Sequence, residues 1–299
     1  MKKKIIIKED KNNLRLDSFL SKKLNLSRNK CNILIKSGVF YVNGKIQKKK
    51  YLLKKNDIIT FDFDKEKKNN NIDIKPINLN LNIIYEDNFL ALINKPSNLI
   101  VHPSSSYSGV TLINGLLFQI KNFEKLKGDR PGIIHRLDKD TTGLIIIGKK
   151  EKIVYKMKEL MKKRQIKKIY WTLIHGFLEK EGIIDLPIKR CNKNRLKMSI
   201  SDKGKKSITH FKTLKKFKNF SLLEIKLETG RTHQIRVHLS YLKTPIVGDP
   251  LYGKKDQNIK QQLLHAKKIN FIHPITKQKL EFEIPLPKFF KNTLDNLEI

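Results

Sequence analysis

The segment PGIIHRLDKDTTGLIII, residues 131–147, places charged side chains between two apolar runs. A turn that carries Asp138 beside Arg136 could perform catalysis, because a carboxylate next to a cation stays ionised and available as a nucleophile or general base. The alternative is structural, with Asp138 or Asp140 accepting hydrogen bonds within the turn. The local pattern leaves both interpretations open.

A second polar cluster lies in LETGRTHQIRVHLSYLKTPIVGDPLYG, residues 227–253, where a strand pattern gives way to a helix pattern. Its chemically capable side chains are Arg231, His233, Gln234, Arg236 and His238. We expect Arg231 to reach over the end of the sheet, and Thr232 to be a helix N-cap that leaves backbone N–H groups free for phosphate. The two histidines are five residues apart with no acidic ligand in register, which argues against a metal site.

The third candidate is KKIYWTLIHG, residues 167–176, which is typical of a strand. Tyr170 and Trp171 in a strand are usually core residues. Neighbouring strand residues point to opposite faces, so only one of the two can lie on the side that carries Asp138.

The elements around these residues predict an α+β fold. Strands are expected at Ile133–Ile134, at Leu144–Ile147 and in the segments 82–96, 169–176 and 221–230, and helices at 111–120, 151–164 and 232–242. The strands follow one another in neighbouring runs more than in strict alternation with helices. This arrangement favours a mixed, largely antiparallel sheet from residue 81 to 299.

The first 63 residues predict a separate small α+β unit, followed by a linker at residues 64–80 that lacks an apolar stripe. Two short helices, the second with Ser27 as its N-cap, precede a hairpin whose turn is Asn43-Gly44. Arg28, Lys30 and Lys36 lie on the second helix, where they either contact phosphates or form an ordinary solvated face.

Composition points to a polyanionic partner. The 299-residue chain has a formal net charge of +36, which favours nucleic acid first and an anionic membrane surface second. The abundance of Lys, Ile and Asn is also what a bias toward AT-rich codons produces, so charge alone does not decide the partner. With 2 Cys residues, no disulfide framework and no long apolar run, we expect a soluble, cytoplasmic monomer.

Taken together, the motifs resemble one family, the pseudouridine synthases that act on large-subunit ribosomal RNA. GIIHRLDKDTTGLIIIGK resembles the family's catalytic motif, KIYWTLIHG its tyrosine motif, and GRTHQIRVHL with PIVGDPLYG its arginine motif and the segment after it. INKPSNLIVHP and LLHAKKINFIHPIT are similar to its first and last motifs, and the N-terminal unit resembles the S-four RNA-binding domain. Trp171 and the Ile169 before Tyr170 depart from the family pattern.

The resemblance implies isomerisation of uridine to pseudouridine without cofactor or metal. Asp138 takes the place of the catalytic carboxylate, which attacks the sugar, attacks the ring or assists glycal formation. Arg231 is expected to pair with Asp138 and keep it ionised, and Tyr170 to stack on the target base.

The same resemblance implies that the target nucleotide is flipped out of its stack. Arg136 is expected to fill the gap, with His135 beside it among the RNA-contacting residues, and Ile235 to form part of the apolar wall of the pocket. The lysines would hold RNA phosphates in a salt-sensitive way.

The resemblance also implies a particular target hairpin in the RNA. HRLDKDTTGL with PIVGDPLYG is most similar to the subgroup that modifies the hairpin of helix sixty-nine, in ribosomal RNA or in a ribosomal particle. The alternatives are a sister enzyme for other large-subunit uridines and a ribosome-assembly factor that binds RNA without catalysis. A membrane-surface protein is disfavoured because no amphipathic helix has a broad apolar face.

Overall fold

The computed structural model of the chain describes residues 3–8, 13–26, 28–62, 74–103, 107, 109–123, 126, 130–253, 259 and 261–297. The chain divides into two compact units, Met1–Ile74 and Lys75–Ile299. Ser27, the predicted N-cap, Phe63 at the end of the predicted first unit, and residues 64–73 of the predicted linker lie outside the described residues. In the described part of the chain, no helix is long and apolar enough to cross a bilayer.

The N-terminal unit packs two helices on a small antiparallel sheet. Its elements are β1 (Lys3–Ile6), α1 (Leu16–Lys23), α2 (Arg28–Lys36), β2 (Phe40–Val42) and β3 (Ile58–Phe61), and the strand order is β1-β3-β2. Leu20 and Leu34 on the helices and Ile59 on the central strand are fully buried in its core. Asn43 and Gly44 have φ angles of 50° and 76°, so the predicted tight turn is confirmed.

The second unit is built around one large sheet. The strands of this unit are β4 (Asn82–Glu86), β5 (Leu90–Lys95), β6 (Thr142–Gly148), β7 (Lys167–His175), β8 (Glu181–Asp185), β9 (Ile188–Arg190), β10 (Met198–Ile200), β11 (Ile208–Lys216), β12 (Phe220–Leu227), β13 (Leu264–Ile272) and β14 (Lys279–Glu283). Strands β9 and β10 pair with each other in a separate two-stranded sheet, and the others form the large one. Its helices are α3 (Leu112–Gln119), α4 (Glu151–Lys162), α5 (Gln234–Tyr241) and α6 (Lys288–Asn296).

The order of strands in the large sheet is β4-β5-β6-β13-β7-β12-β11-β8, with β14 paired to β13. Only the β6–β13 contact is parallel among the described strand pairs of this sheet. The mixed, largely antiparallel sheet of an α+β fold is therefore confirmed. Every residue of β6 is buried, which explains why its sequence is an unbroken apolar run instead of an alternating one.

Two local predictions are wrong. Ile133 and Ile134 are buried, but they do not form a strand: Ile133 makes one isolated bridge with Ile147, because Gly132 turns the chain at a φ of 70° just before it. The N-cap of helix α5 is His233, with a left-handed φ of 55°, and not the predicted Thr232, so the helix begins at Gln234. Lys75, near the end of the predicted linker, belongs to the second unit, where its carbonyl accepts a hydrogen bond from the Asn114 amide at 2.9 Å.

Candidate active site

A cavity of about 650 Å³ opens where the loop before β6 meets the start of β7, the end of β12 and the start of α5. Apolar residues line its inner part, and cations line much of its rim. Its lining includes Ile134, Arg136, Leu137, Asp138, Lys168, Tyr170, Arg231, His233, Ile235, Arg236 and Leu264. The three sequence segments singled out above therefore meet in one cavity.

Asp138 is held in this cavity by the buried guanidinium of Arg236. The Nη1 of Arg236 donates to Oδ2 of Asp138 at 3.1 Å. Its Nε and Nη2 donate to the two carboxylate oxygens of Asp249 at 2.7 and 2.8 Å. The side chain of Asp138 is 16% exposed and that of Asp249 is 0% exposed. The planar guanidinium of Arg236 thus bridges the partly exposed carboxylate of Asp138 and the buried carboxylate of Asp249, and fixes their relative orientation.

The electrostatics of the Arg236–Asp249 pair favour its charged form. Burial by itself raises the pKa of Asp249, but the hydrogen bond and charge of Arg236 and the N–H groups of Leu251 and Tyr252 outweigh it and lower that pKa. Burial likewise disfavours the charged form of Arg236, yet its two carboxylate partners raise its pKa above the ordinary value. Asp249 thereby orients the cation that orients Asp138.

The prediction that Arg231 pairs with Asp138 is wrong, because Arg236 makes that contact. The Nε of Arg231 donates instead to the carbonyl of Lys206 at 3.2 Å, and the residue is exposed at the rim of the cavity. Residue 231 precedes the helix, whereas residue 236 lies within its first turn, on the part of α5 that is buried. The sequence did contain a signal for the correct arginine: Asp249 in GDPLYG is an acid that a buried arginine on the neighbouring helix would need as its partner.

His233 approaches Asp138 from the other side. Its Nε2 lies 3.9 Å from Oδ1 of Asp138, and its Nδ1 lies 2.9 Å from the hydroxyl of Tyr252. The Tyr252 hydroxyl oxygen accepts a hydrogen bond from the Met198 N–H at 2.6 Å, so the hydroxyl can donate its own proton to Nδ1 of His233. The proton of the neutral ring is then on Nε2, which points toward Asp138. Burial lowers the pKa of His233. A left-handed φ in a non-glycine residue costs of order 1 kcal/mol, which the Tyr252 contact helps to offset.

Tyr170, and not Trp171, faces Asp138. Tyr170 is 6% exposed and pairs across the sheet with Ile225 and Ala266. Burial, with the nearby charge of Asp138, raises its pKa above the ordinary value. Trp171 packs in the apolar cluster on the opposite face, as the alternation of strand side chains requires.

The apolar wall of the cavity comes from both sides of the site. Ile235 is 4% exposed and Leu264 3% exposed, and the loop before β6 adds Ile134 and Leu137. Such surroundings exclude water and strengthen each electrostatic interaction inside them.

His135 and Arg136 differ in position although they are neighbours. Nε2 of His135 accepts the Ile146 N–H at 3.0 Å, and burial lowers the pKa of this histidine to about 3. It is therefore a neutral ring that fixes the loop to β6, and its predicted contact with RNA stays a prediction. Arg136 is exposed at the cavity rim, where an extended guanidinium can meet RNA.

Lys95 supports the loop of Asp138 from below, a role that the sequence motifs did not reveal. Its side chain is fully buried, and its ammonium donates to the carbonyls of Pro96, Leu99 and Lys139 at 2.7, 2.9 and 2.9 Å. Burial lowers the pKa of Lys95 to about 7, against the opposing charges of Asp140 and Asp138. The signal was present in the sequence as a single lysine that ends an apolar strand.

Gly143 sets the distance between β6 and β13 next to this loop. It has a φ of 108°, and a Cβ there would lie 2.7 Å from the Ala266 nitrogen and closer still to its carbonyl oxygen. The preceding hydroxyls are tied to the same region, since Thr142 Oγ1 lies 2.8 Å from His265 Nδ1 and Thr141 Oγ1 accepts from the amide of Gln262 at 2.9 Å. The loop that carries Asp138 therefore has rigid anchors at its C-terminal end.

In the N-terminal unit the structure places the predicted cations unequally. Arg28 is largely exposed, with its Nη2 3.7 Å from Oδ1 of Asp17, and Asp17 is held mainly by Arg15, whose Nη2 lies 2.7 Å from Oδ2. Lys36 is exposed near the end of α2. The side chain of Lys30 lies outside the described residues.

Comparison with known proteins identifies two regions of the chain. Residues 89–241 match the model of the RNA pseudouridylate synthase family, and residues 14–59 match the S4 domain. The chain is 36% identical over 297 residues to the uncharacterized RNA pseudouridine synthase YlyB of Bacillus subtilis, covering 98% of this chain and 97% of that protein. It is 40% identical over 298 residues to the ribosomal large subunit pseudouridine synthase D of Buchnera aphidicola, covering 94% and 93%.

The fold has a solved counterpart. The second unit's architecture is similar to human RNA pseudouridylate synthase domain containing 4, with a TM-score of 0.57 and 26% sequence identity. The match covers 73% of this chain and 93% of the human one.

Proposed function

The chain belongs to the RNA pseudouridylate synthase family and carries an N-terminal S4 domain, and we propose that its substrate is large-subunit ribosomal RNA, at the hairpin of helix sixty-nine. The reaction class follows from the family: the protein isomerises uridine to pseudouridine in RNA. The target and the roles of individual residues are the proposal.

The observation that carries the proposed site is the position of Asp138. Its carboxylate lies in a cavity with an apolar wall, is aimed by Arg236, and shares that cavity with Tyr170. This is the environment that the isomerisation needs, since a detached uracil must be kept from solvent while one fixed anion acts on it.

The chemical balance of the reaction requires few protein groups. The N1–C1′ bond of uridine breaks and the C5–C1′ bond forms, while C5 loses a proton and N1 gains one. Asp138 attacks C1′ of the ribose, attacks the ring or assists glycal formation. In each of these routes Arg236 supplies the positive charge that orients the carboxylate, and Tyr170 supplies a flat surface on which uracil can stack as it turns.

Access to the cavity requires base flipping, which costs a few kcal/mol of lost stacking and pairing. Arg136 is exposed at the rim and fits the space that the extruded nucleotide leaves. Ile235 contacts the flipped base from the wall. In the S4 unit, Arg28 and Lys36 are exposed cations suited to phosphates, and a second contact of this kind raises the effective concentration of RNA at the catalytic unit.

Two features support the choice of target. Several relatives bear the name ribosomal large subunit pseudouridine synthase D, and HRLDKDTTGL with PIVGDPLYG is most similar to the subgroup for helix sixty-nine. The net charge of +36 is in keeping with an RNA substrate of this size.

The experiment that tests the proposal maps pseudouridine by carbodiimide modification and reverse transcription. Ribosomal RNA is compared from cells with the protein, without it, and with the Asp138→Asn variant. We expect loss of pseudouridine in the helix sixty-nine hairpin in the second and third strains. Loss at other large-subunit uridines would redirect the target, and unchanged modification with Asp138→Asn would refute the catalytic assignment.

A matched binding measurement separates catalysis from recognition. The Asp138→Asn variant is nearly isosteric, so its affinity for the target hairpin should stay close to that of the wild type. A wild-type protein that binds this RNA without converting any uridine would favour the assembly-factor alternative.

A further inference from the structure

Lys168 is a lysine of the active-site cavity for which the mechanism above has no use. It lies two residues before Tyr170 on β7, on the same face of the strand, and it lines the same cavity. Residues i and i+2 of a strand lie about 7 Å apart, so the ammonium is offset from the tyrosine by about the length of one nucleotide unit.

The ammonium of Lys168 has no acceptor in the part of the chain that the structure describes. It lies beside Gly230, where a Cβ atom would be 3.5 Å from Nζ. Burial lowers the pKa of Lys168 to about 8. Lys168 is half-buried, and a half-buried ammonium without an acceptor is one that an anionic ligand would stabilise.

The neighbouring charges are those of an anion site. The lining of the same cavity also includes Arg130, Lys158, Lys162, Arg164 and Arg231. The nearby acid, Glu228, is already occupied: Arg164 Nη1 lies 2.5 Å from its Oε2 and His210 Nε2 lies 2.7 Å from its Oε1. His135, which faces Lys168, is neutral at its low pKa and does not compete for the anion.

We propose that Lys168 anchors a phosphodiester subsite, in which its ammonium binds a non-bridging phosphate oxygen of the RNA strand next to the flipped uridine. The subsite rests on the proposed function, because it requires an RNA strand in this cavity. Tyr170 would then hold the base and Lys168 the phosphate of one short stretch of RNA, which fixes the register of the strand over Asp138.

The chain offers a matched control in Lys226. It is exposed, and it pairs with Ile169, so it lies on the opposite face of the same sheet from Lys168 and Tyr170. Lys168→Met and Lys226→Met therefore remove the same charge from adjoining strands, one inside the cavity and one outside it.

The first test measures the affinity of the full-length protein for the RNA hairpin that the wild type converts, as a function of salt. Loss of one phosphate contact should reduce the slope of log K against log salt by roughly 0.7 to 0.9. We expect this reduction in Lys168→Met but not in Lys226→Met. KM should rise about tenfold or more with kcat nearly unchanged, because the contact forms in the ground state.

The second test locates the phosphate by neutralising one phosphodiester at a time as a methylphosphonate. A methylphosphonate at one position beside the target uridine should reduce the affinity of the wild type and of Lys226→Met. The same replacement should leave the affinity of Lys168→Met unchanged. Equal scans for the wild type and Lys168→Met would overturn the subsite. A fall in kcat with KM unchanged would also overturn it, since Lys168 would then act on the uracil.

The folding of the variant provides an internal check. Lys168→Met removes a charge without an acceptor from a half-buried position, so its melting temperature should equal or exceed that of the wild type. A clear fall in melting temperature would contradict the absence of structural partners. Failure of the proposed function is distinct from all these outcomes, because the wild type would then convert no uridine in the hairpin.

Discussion

Replacement of Arg236 by Gln is the perturbation that most sharply tests the geometry of the site. The substitution removes two hydrogen bonds to Asp249 and one to Asp138, and it leaves Asp249, whose side chain is 0% exposed, as a buried and uncompensated charge. Breaking a buried pair in this way costs about 3 to 5 kcal/mol. Arg231→Gln is the control: Arg231 is exposed and its side chain donates to one backbone carbonyl, so its loss should change stability by about 0.5 kcal/mol or less.

The assay is urea unfolding, monitored by the fluorescence of Trp171. This is the single tryptophan of the chain, and it lies in the second unit, so the signal reports the unfolding of that unit alone. The double variant Arg236→Gln/Asp249→Asn should recover at least half of the loss, because it removes the orphaned charge. Activity of Arg236→Gln should fall by about 10²-fold or more, since Asp138 loses the donor that aims it. Equal destabilisation by Arg231→Gln and Arg236→Gln, or a cost below about 1 kcal/mol for both, would show that Arg236 does not hold a buried ion pair.

The ion pair between Asp249 and Arg236 predicts that the free energy of unfolding decreases at low pH. The folded pKa of Asp249 lies below its ordinary value of 3.8, so between the two values the unfolded chain binds more protons and stability rises with pH. The stabilisation is therefore complete well above 3.8 and is lost as the pH falls through the folded pKa. Wild-type protein should show this slope, and Arg236→Gln should show a flatter one.

Three further changes have defined outcomes. Tyr170→Phe should keep RNA affinity, whereas Tyr170→Ala should lose about 1 to 3 kcal/mol of base stacking; equal affinities by filter binding would contradict the stacking role. Gly143→Ala should destabilise the second unit by more than about 1 kcal/mol, because its Cβ would collide with the Ala266 backbone at a φ of 108°; an unchanged urea midpoint would disprove the close approach. Lys168 has a pKa of about 8 in the folded protein and 10.5 as its ordinary value, so the unfolded chain holds more protons between these values and wild-type stability should rise with pH there. Lys168→Met should lack that rise in urea midpoints measured from pH 7 to 10.

The sequence by itself was sufficient for the fold class, the reaction class and the main catalytic candidate. The apolar runs and their turns carry local information: Leu144 to Ile147 form a strand buried on both faces, and Asn43-Gly44 forms the tight turn. Periodicity along the strand also limited Tyr170 and Trp171 to opposite faces. These features depend on neighbours in the chain, which the sequence displays directly.

The tertiary structure decided which side chains meet. The sequence pointed to Arg231 as the partner of Asp138, and only the position of α5 against the loop shows that Arg236, 98 residues away, makes that contact. It also decided that Asp249 is the buried acid that pairs with Arg236, and that the Lys95 ammonium donates to three backbone carbonyls, one of them in the loop of Asp138. Ion-pair choice and burial depend on contacts between distant segments, and a linear pattern carries no measure of distance across the fold. Lys168 is another such case: its spacing from Tyr170 is visible in the sequence, but the lack of an acceptor for its charge is a property of the folded cavity.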